Sequence, residues 1–178
     1  MKKIILAICC LAGISTAKAQ DNYYVGVGIT SSKYEVSINY DQFSNQNSVN
    51  QTGAKFFAGM VIDKTWAVET AYVDLGTVST DWKFSGRAGT AKFGATGQYI
   101  AGKGSLPLTE QFSFFGKLGL IRNQFKKSGF PSGVDETKTN AYGSIGAEYA
   151  LSKKFSLSIE VERFGSDGTL TSALRFSF

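Results

Sequence analysis

Charged side chains recur on one face of segments in which apolar and polar residues alternate. Successive side chains of a β-strand point to opposite faces, so these charges lie opposite the apolar residues. The charges that alternation places on this face are Glu69, Lys117, Glu148, Glu160, Glu162 and Arg175. In a narrow space these acids and bases could form a hydrogen-bonded plug or line a small gated ion path. A third possible use is acid–base catalysis by two paired carboxylates.

Catalysis is the least favoured of these three uses. Glu160 and Glu162 lie two residues apart on one strand, which means only that they share a face. The sequence contains no histidine, the commonest general base and a frequent metal ligand, and it has no phosphate-binding loop. We therefore predict no enzyme activity, no cofactor and no metal site.

The first 19 residues have the features of a secretory signal peptide. Lys2 and Lys3 precede an apolar run over residues 4–14, and Ala17-Lys18-Ala19 forms a small-x-small cleavage site. Removal of residues 1–19 takes away three lysines and no acid, so the formal charge of +5 falls to 5 − 3 = +2. This small charge argues against nucleic acid as a partner.

Residues 20–178 are then predicted to form one exported domain. Cys9 and Cys10 both lie in the signal peptide, so this domain has no thiol chemistry. The whole chain has 20 glycines, 14 phenylalanines and 8 tyrosines but only 2 prolines, and it lacks an apolar run long enough to span a membrane as a helix. The composition favours an exported β-protein, either in the periplasm or in the outer membrane.

The C-terminal residues 170–178 alternate without a break. Leu170, Leu174, Phe176 and Phe178 lie on one face, whereas Arg175 lies on the other. A strand of this kind at the end of a soluble protein would expose an unpaired edge to other chains. A barrel that pairs its last strand with its first has no such edge.

The same alternation predicts eight strands joined by alternately long and short connections. The predicted strands span residues 23–30, 54–62, 66–73, 90–104, 112–120, 141–151, 155–162 and 170–178. The predicted outer loops are 33–51, 76–88, 122–138 and 163–168. In the fourth strand the apolar residues Phe93, Tyr99 and Ile100 change parity, which a β-bulge would explain.

These features predict an all-β fold: an eight-stranded antiparallel up-and-down transmembrane β-barrel, apolar outside and polar inside. The alternative is a soluble periplasmic lipocalin-like barrel, which would turn its apolar face inward around a ligand. Glycines, glutamates and lysines on one shared face argue against that alternative.

Several short segments resemble the N-terminal barrel of the OmpA-type outer-membrane proteins. They are residues 60–63, 66–72, 75–76, 115–119, 146–150 and 159–160. The resemblance implies a bacterial outer-membrane location and a role in membrane integrity or adhesion, with weak porin activity as a further expectation. The chain ends at Phe178, so the peptidoglycan-binding domain of fuller members is not expected here.

The resemblance also implies site residues and partners. Glu69, Lys103, Lys117 and Glu148 match positions of the interior charges that block or gate the lumen in that family. The family's arginine on the seventh strand falls on Ser158, and Arg175 is expected to replace it. The expected partners are outer-membrane lipid and lipopolysaccharide, the barrel-assembly machinery through a C-terminal signal at Phe176 and Phe178, and a host surface ligand at the loops. The expected state is a monomer.

A belt of aromatic residues is predicted where the barrel meets the membrane interfaces. Its predicted members are Tyr23, Tyr24, Trp66, Tyr72, Tyr149, Phe164 and Phe178.

Overall fold

The protein is described by a computed structural model that covers residues 22–40, 43–84, 87–128, 136–164 and 167–178. The predicted signal peptide, residues 1–19, lies outside the described residues. Within the described ranges, no helix combines the length and the apolar character needed to cross a membrane.

Eight strands make up this part of the chain. They are β1 Tyr23–Tyr40, β2 Phe43–Val61, β3 Trp66–Phe84, β4 Arg87–Pro107, β5 Phe112–Ser128, β6 Glu136–Ala150, β7 Phe155–Phe164 and β8 Asp167–Ser177. Each strand pairs with the next in antiparallel orientation, and β8 pairs with β1 from Tyr24↔Ser177 to Ser32↔Thr169. The sheet is thus a closed barrel, which confirms the predicted fold class and leaves no unpaired edge.

Most large apolar side chains of the strands face outward. Leu118 is 78% exposed and Ile145 is 72% exposed, while Glu69 on the inner face is 1% exposed. In a soluble barrel these apolar side chains would be exposed to water and would contribute no stabilisation through burial. In a membrane barrel they contact lipid tails. The lipocalin-like alternative requires the reverse arrangement and is wrong.

The described residues of all four predicted outer loops are strand, so the loop prediction is wrong there. In the third and fourth loops these are residues 122–128, 136–138, 163–164 and 167–168, and the first two loops are strand over nearly their whole length. β1 and β2 remain paired up to Tyr40↔Phe43, and β3 and β4 up to Phe84↔Arg87. Ladder hydrogen bonds join backbone groups, so polar residues can continue a sheet beyond the hydrocarbon layer. A tilted strand needs only about ten residues to cross that layer. Because β1 to β4 have 18, 19, 19 and 21 residues, they project well beyond it.

The predicted irregularity of β4 lies instead in β3. Tyr99 is 2% exposed and Ile100 is 59% exposed, so β4 alternates regularly at these positions. The register shifts between Asp74 and Thr77 of β3, at a bulge that includes Gly76 with φ of 85°. An Asp74 carboxylate oxygen accepts a hydrogen bond from the Gly76 N–H at 2.9 Å. Only glycine adopts this positive φ without steric cost, so the bulge is set by one residue of β3.

Short turns close the opposite end of the barrel. At the β2–β3 turn the Asp63 carboxylate accepts the N–H groups of Thr65 at 2.7 Å and Trp66 at 2.8 Å. At the β6–β7 turn the Ser152 hydroxyl accepts the N–H groups of Lys154 and Phe155. These tight connections, opposite the strand extensions, mark this end as the periplasmic one.

Candidate functional site: the charged interior of the barrel

The described part of the barrel interior contains four acids and four bases. They are Glu69, Glu148, Glu160 and Glu162 with Lys55, Lys103, Lys117 and Arg175. Their formal charges cancel, 4 − 4 = 0. A balanced set can be buried at lower cost than unpaired charges because each ion has a counter-ion within reach.

Lys55 of β2 crosses the lumen to two acids of β7. Its ammonium nitrogen lies 2.5 Å from Glu160 Oε1 and 2.9 Å from Glu162 Oε2, and the Lys55 side chain is fully buried. The two glutamates lie two residues apart on the same face of β7, so one cation can serve both.

Lys117 of β5 extends this contact into a chain of ion pairs. Its ammonium nitrogen lies 2.9 Å from Glu160 Oε2 and 2.7 Å from Glu69 Oε1. Five charged groups, Glu162, Lys55, Glu160, Lys117 and Glu69, are therefore connected in this order from β7 to β3. Glu160 is shared by the two lysines.

Hydroxyl groups complete the coordination of the acids in this chain. Glu69 accepts hydrogen bonds from the hydroxyls of Tyr24 at 2.9 Å and Tyr99 at 2.5 Å. Glu162 accepts from the hydroxyls of Tyr142, at 2.8 Å, and Thr171. The carboxylates lose hydration on burial, and these donors replace much of it.

A second cluster lies closer to the periplasmic turns. Glu148 accepts from the Lys103 ammonium at 2.8 Å and from the Ser156 hydroxyl at 2.9 Å. Both terminal nitrogens of Arg175 reach the same carboxylate, Nη2 at 2.6 Å and Nη1 at 3.2 Å. A cavity of 230 Å³ opens beside this cluster towards the turn at Asp63. The Arg175 side chain is 25% exposed, so solvent reaches this cluster more easily than it reaches Lys55.

Stacked aromatic rings fill the interior on the outer side of the ionic chain. The ring centroids of Tyr99 and Tyr142 are 4.1 Å apart, and those of Tyr142 and Phe164 are 5.7 Å apart. Rings at these separations pack favourably and exclude water. The ionic chain and the stack together occupy the middle of the barrel.

All seven charges predicted for the lumen lie inside the barrel and take part in these contacts. Lys55 was not among the predicted lumen charges. It lies on the opposite face of β2 from Phe56 and Ala58, so alternation predicts that it faces the lumen. Ser158, the position of the family's arginine, pairs in register with Glu148, and Arg175 binds the Glu148 carboxylate from β8.

The aromatic-belt prediction is wrong for two of its members. Tyr24 is 1% exposed and Phe164 is 3% exposed, and both face the lumen. Tyr24 has the parity of Gly26 and Gly28, and Phe164 that of Glu162, so alternation carried the correct signal. The belt residues that do face outward are Tyr23, Trp66, Tyr72 and Tyr149.

The C-terminal aromatic residues pack together at the β8–β1 seam. The ring centroids of Phe176 and Phe178 are 6.0 Å apart, and the Phe178 N–H donates to the Tyr23 carbonyl at 3.1 Å. Recognition of these residues by the barrel-assembly machinery remains a prediction.

Comparisons with known proteins agree with this architecture. The family model described as "Outer membrane protein beta-barrel domain" matches residues 4–177. Outer membrane protein A of Yersinia pseudotuberculosis serotype I (strain IP32953) is 27% identical over an alignment of 173 positions that covers 91% of this chain and 48% of that protein. Outer membrane protein A of Serratia marcescens is 26% identical over an alignment of 191 positions that covers 96% of this chain and 52% of that protein. The chain thus spans about half the length of these curated relatives.

Solved structures show the same fold at low sequence identity. Neisserial surface protein A superposes with a TM-score of 0.59 at 15% identity, covering 88% of this chain and 97% of that one. Ail of Yersinia pestis, in complex with the heparin analogue sucrose octasulfate, superposes with a TM-score of 0.56 at 15% identity, covering 88% and 96%.

Proposed function

Because this chain belongs to the outer membrane protein β-barrel domain family, we propose that it is a small, monomeric structural barrel closed by its own interior side chains. The protein lies in the bacterial outer membrane, as its family and its lipid-facing surface require. Export through a signal peptide over residues 1–19, cleaved after translocation, is part of this proposal.

The observation that carries this proposal is the chain of ion pairs across the lumen. It joins β2, β3, β5 and β7 through side chains that are nearly all inaccessible to solvent. An eight-stranded barrel is narrow enough for side chains to fill its interior. The interior acids therefore serve as partners of lysine and of hydroxyl groups, and the proposed function includes no catalytic step.

Weak, gated conduction is a second candidate function. Lys117 already contacts both Glu69 and Glu160. A shift of Lys117 from one acid to the other would loosen the chain without leaving the lysine unpaired. Such an exchange would admit water along one side of the lumen.

Conductance across a planar bilayer tests the closed state. We expect few and small openings for the wild-type protein and several-fold more current for Glu69→Ala/Lys117→Ala. That double variant removes one acid and one base and deprives the Tyr24 and Tyr99 hydroxyls of their acceptor. Buried donors without acceptors favour the entry of water.

The control variant is Glu136→Ala/Lys138→Ala, which removes an exposed ion pair of similar length, 2.9 Å. It should conduct like the wild type. Equal currents in all three proteins would contradict closure by the ionic chain.

Surface interaction is the third element of the proposal, because β3 and β4 project beyond the membrane. Ail has been crystallised with a heparin analogue, and we propose that the outer extensions of this chain likewise contact a host surface ligand.

Residues 80–91 can be replaced by an Asn-Gly turn across the pair Ser79↔Lys92. We expect the shortened protein to insert normally but to lose attachment of cells to host epithelium. Unchanged attachment with normal insertion would contradict this role of β3 and β4.

A further inference from the structure

A hollow with a basic rim lies on the outer wall of the barrel, where β3, β4 and β5 emerge from the lipid-facing belt. Its volume is 260 Å³, and its lining includes Lys92, Lys126, Gln124, Thr96 and Asp74. It is on the outward face and separate from the ionic chain in the lumen.

The β3 bulge and a glycine of β4 create this hollow. Beyond the bulge, Thr77 pairs with Gly94, and Gly94 pairs with Lys126. Gly94 therefore forms the floor between two longer side chains. A Cβ atom added there would lie 3.2 Å from Thr77 Oγ1, close to the opposite wall.

Positive charge dominates the hollow. Lys92 lies two residues from Gly94, so it is a diagonal neighbour of Lys126, and Arg122 continues the outward face of β5. No ion pair between described residues involves these three cations. Asp74 is the acid among the lining residues, and one of its oxygens accepts the Gly76 N–H. The site has two lysines against one carboxylate, so it favours an anion.

Apolar side chains begin lower on the same outward faces, next to Arg122 on β5 and below the polar pairs Thr96↔Gln124 and Gln98↔Arg122. Leu120 and Leu118 precede Arg122 on the outward face of β5 and are 58% and 78% exposed. Ile100 pairs with Leu120 and is 59% exposed. A ligand with phosphate above and hydrocarbon below would match both parts of this surface at once.

We propose that this hollow binds the phosphorylated sugar head group of an outer-leaflet glycolipid. Lys92 and Lys126 contact the phosphate, Gln124 and Thr96 offer hydrogen-bonding groups to sugar hydroxyls, and the acyl chains lie along Ile100 and its neighbours. The inference rests on the outer-membrane placement of the barrel and does not depend on whether the lumen conducts.

Native mass spectrometry of the full folded chain in detergent, titrated with bis-phosphorylated lipid A, tests the proposal. We expect saturable binding to the wild type. Lys92→Gln/Lys126→Gln should weaken it by about tenfold or more, because each cation contributes to phosphate attraction near the membrane surface. Gly94→Leu should cause a similar loss by filling the hollow without any change of charge.

Lys153→Gln/Lys154→Gln removes the same charge at the β6–β7 turn and should bind lipid A like the wild type. The mobility shift of unheated against boiled samples shows that each variant is folded. Wild-type affinity in both hollow variants would overturn the proposal.

Three further probes identify what the hollow recognises. Lipid A without phosphate should bind the wild type as weakly as intact lipid A binds the double lysine variant. If the wild type binds lipid A equally tightly with and without phosphate, the phosphate contact is overturned. Displacement of lipid A by millimolar inorganic phosphate would overturn the lipid assignment in favour of a free-phosphate site. Displacement by sucrose octasulfate at equal concentration would overturn it in favour of a general polyanion site. These readouts are independent of conductance, so a failure here leaves the closed-barrel proposal untouched.

Discussion

Replacing Lys55 with methionine is expected to lower the free energy of unfolding by about 3–5 kcal/mol, the usual cost of removing one partner from a buried ion pair. Methionine preserves the length and apolar stem of the side chain, so the loss reports mainly on charge. The variant leaves Glu160 with Lys117, but Glu162 has no other ion-pair partner among the described residues. Urea unfolding in lipid vesicles, followed by tryptophan fluorescence, measures the change.

A second substitution separates charge from packing in this experiment. Lys55→Met/Glu162→Gln removes the uncompensated carboxylate while the glutamine oxygen can still accept from the Tyr142 hydroxyl. We expect it to recover most of the lost stability. Lys64→Met, in an exposed turn, should change stability by about 0.5 kcal/mol or less. If Lys55→Met and Lys64→Met have the same free energy of unfolding, the ionic chain does not stabilise the barrel.

Gly119→Ala is expected to lower the free energy of unfolding by about 3 kcal/mol or more, at or beyond the upper end of the usual cost of overpacking. Gly119 pairs with Ala101 across β4 and β5. A Cβ atom on Gly119 would lie 2.0 Å from the Ile100 carbonyl oxygen and 2.6 Å from Ala101 Cα. Both obstacles are backbone atoms, which are held by the ladder and cannot rotate away as a side-chain tip can.

Gly102→Ala is the matched control on the same strand pair. Its nearest contact to an added Cβ is the Leu118 carbonyl oxygen at 4.0 Å, on the lipid-facing side. We expect unchanged stability or a gain of about 0.5 kcal/mol, because alanine loses less backbone entropy than glycine on folding. The same urea titration, with the gel mobility shift as a check of folding, compares the two variants. Equal effects would contradict the close approach of β4 and β5 at Gly119.

Alternation along the chain was sufficient to predict which residues face lipid and which face the lumen. The side-chain period of a strand is a local property of the backbone, so Glu69, Lys117 and Glu160 could be placed inside without knowledge of their partners. The prediction failed where residue type was given more weight than alternation. Tyr24 and Phe164 have inward parity, but their aromatic character led to the interfacial prediction.

The partners of the interior charges and the reach of the outer strands depend on the closed barrel. Lys55 and Glu160 are 105 residues apart, and their contact follows from the register of the strands between them and from the pairing of β8 with β1. Backbone hydrogen bonds extend β1 and β2 through polar sequence that resembles loop, because a ladder does not require apolar side chains. The sequence thus determines the face of each side chain through a local period of two, whereas closure of the sheet determines which charges meet across it.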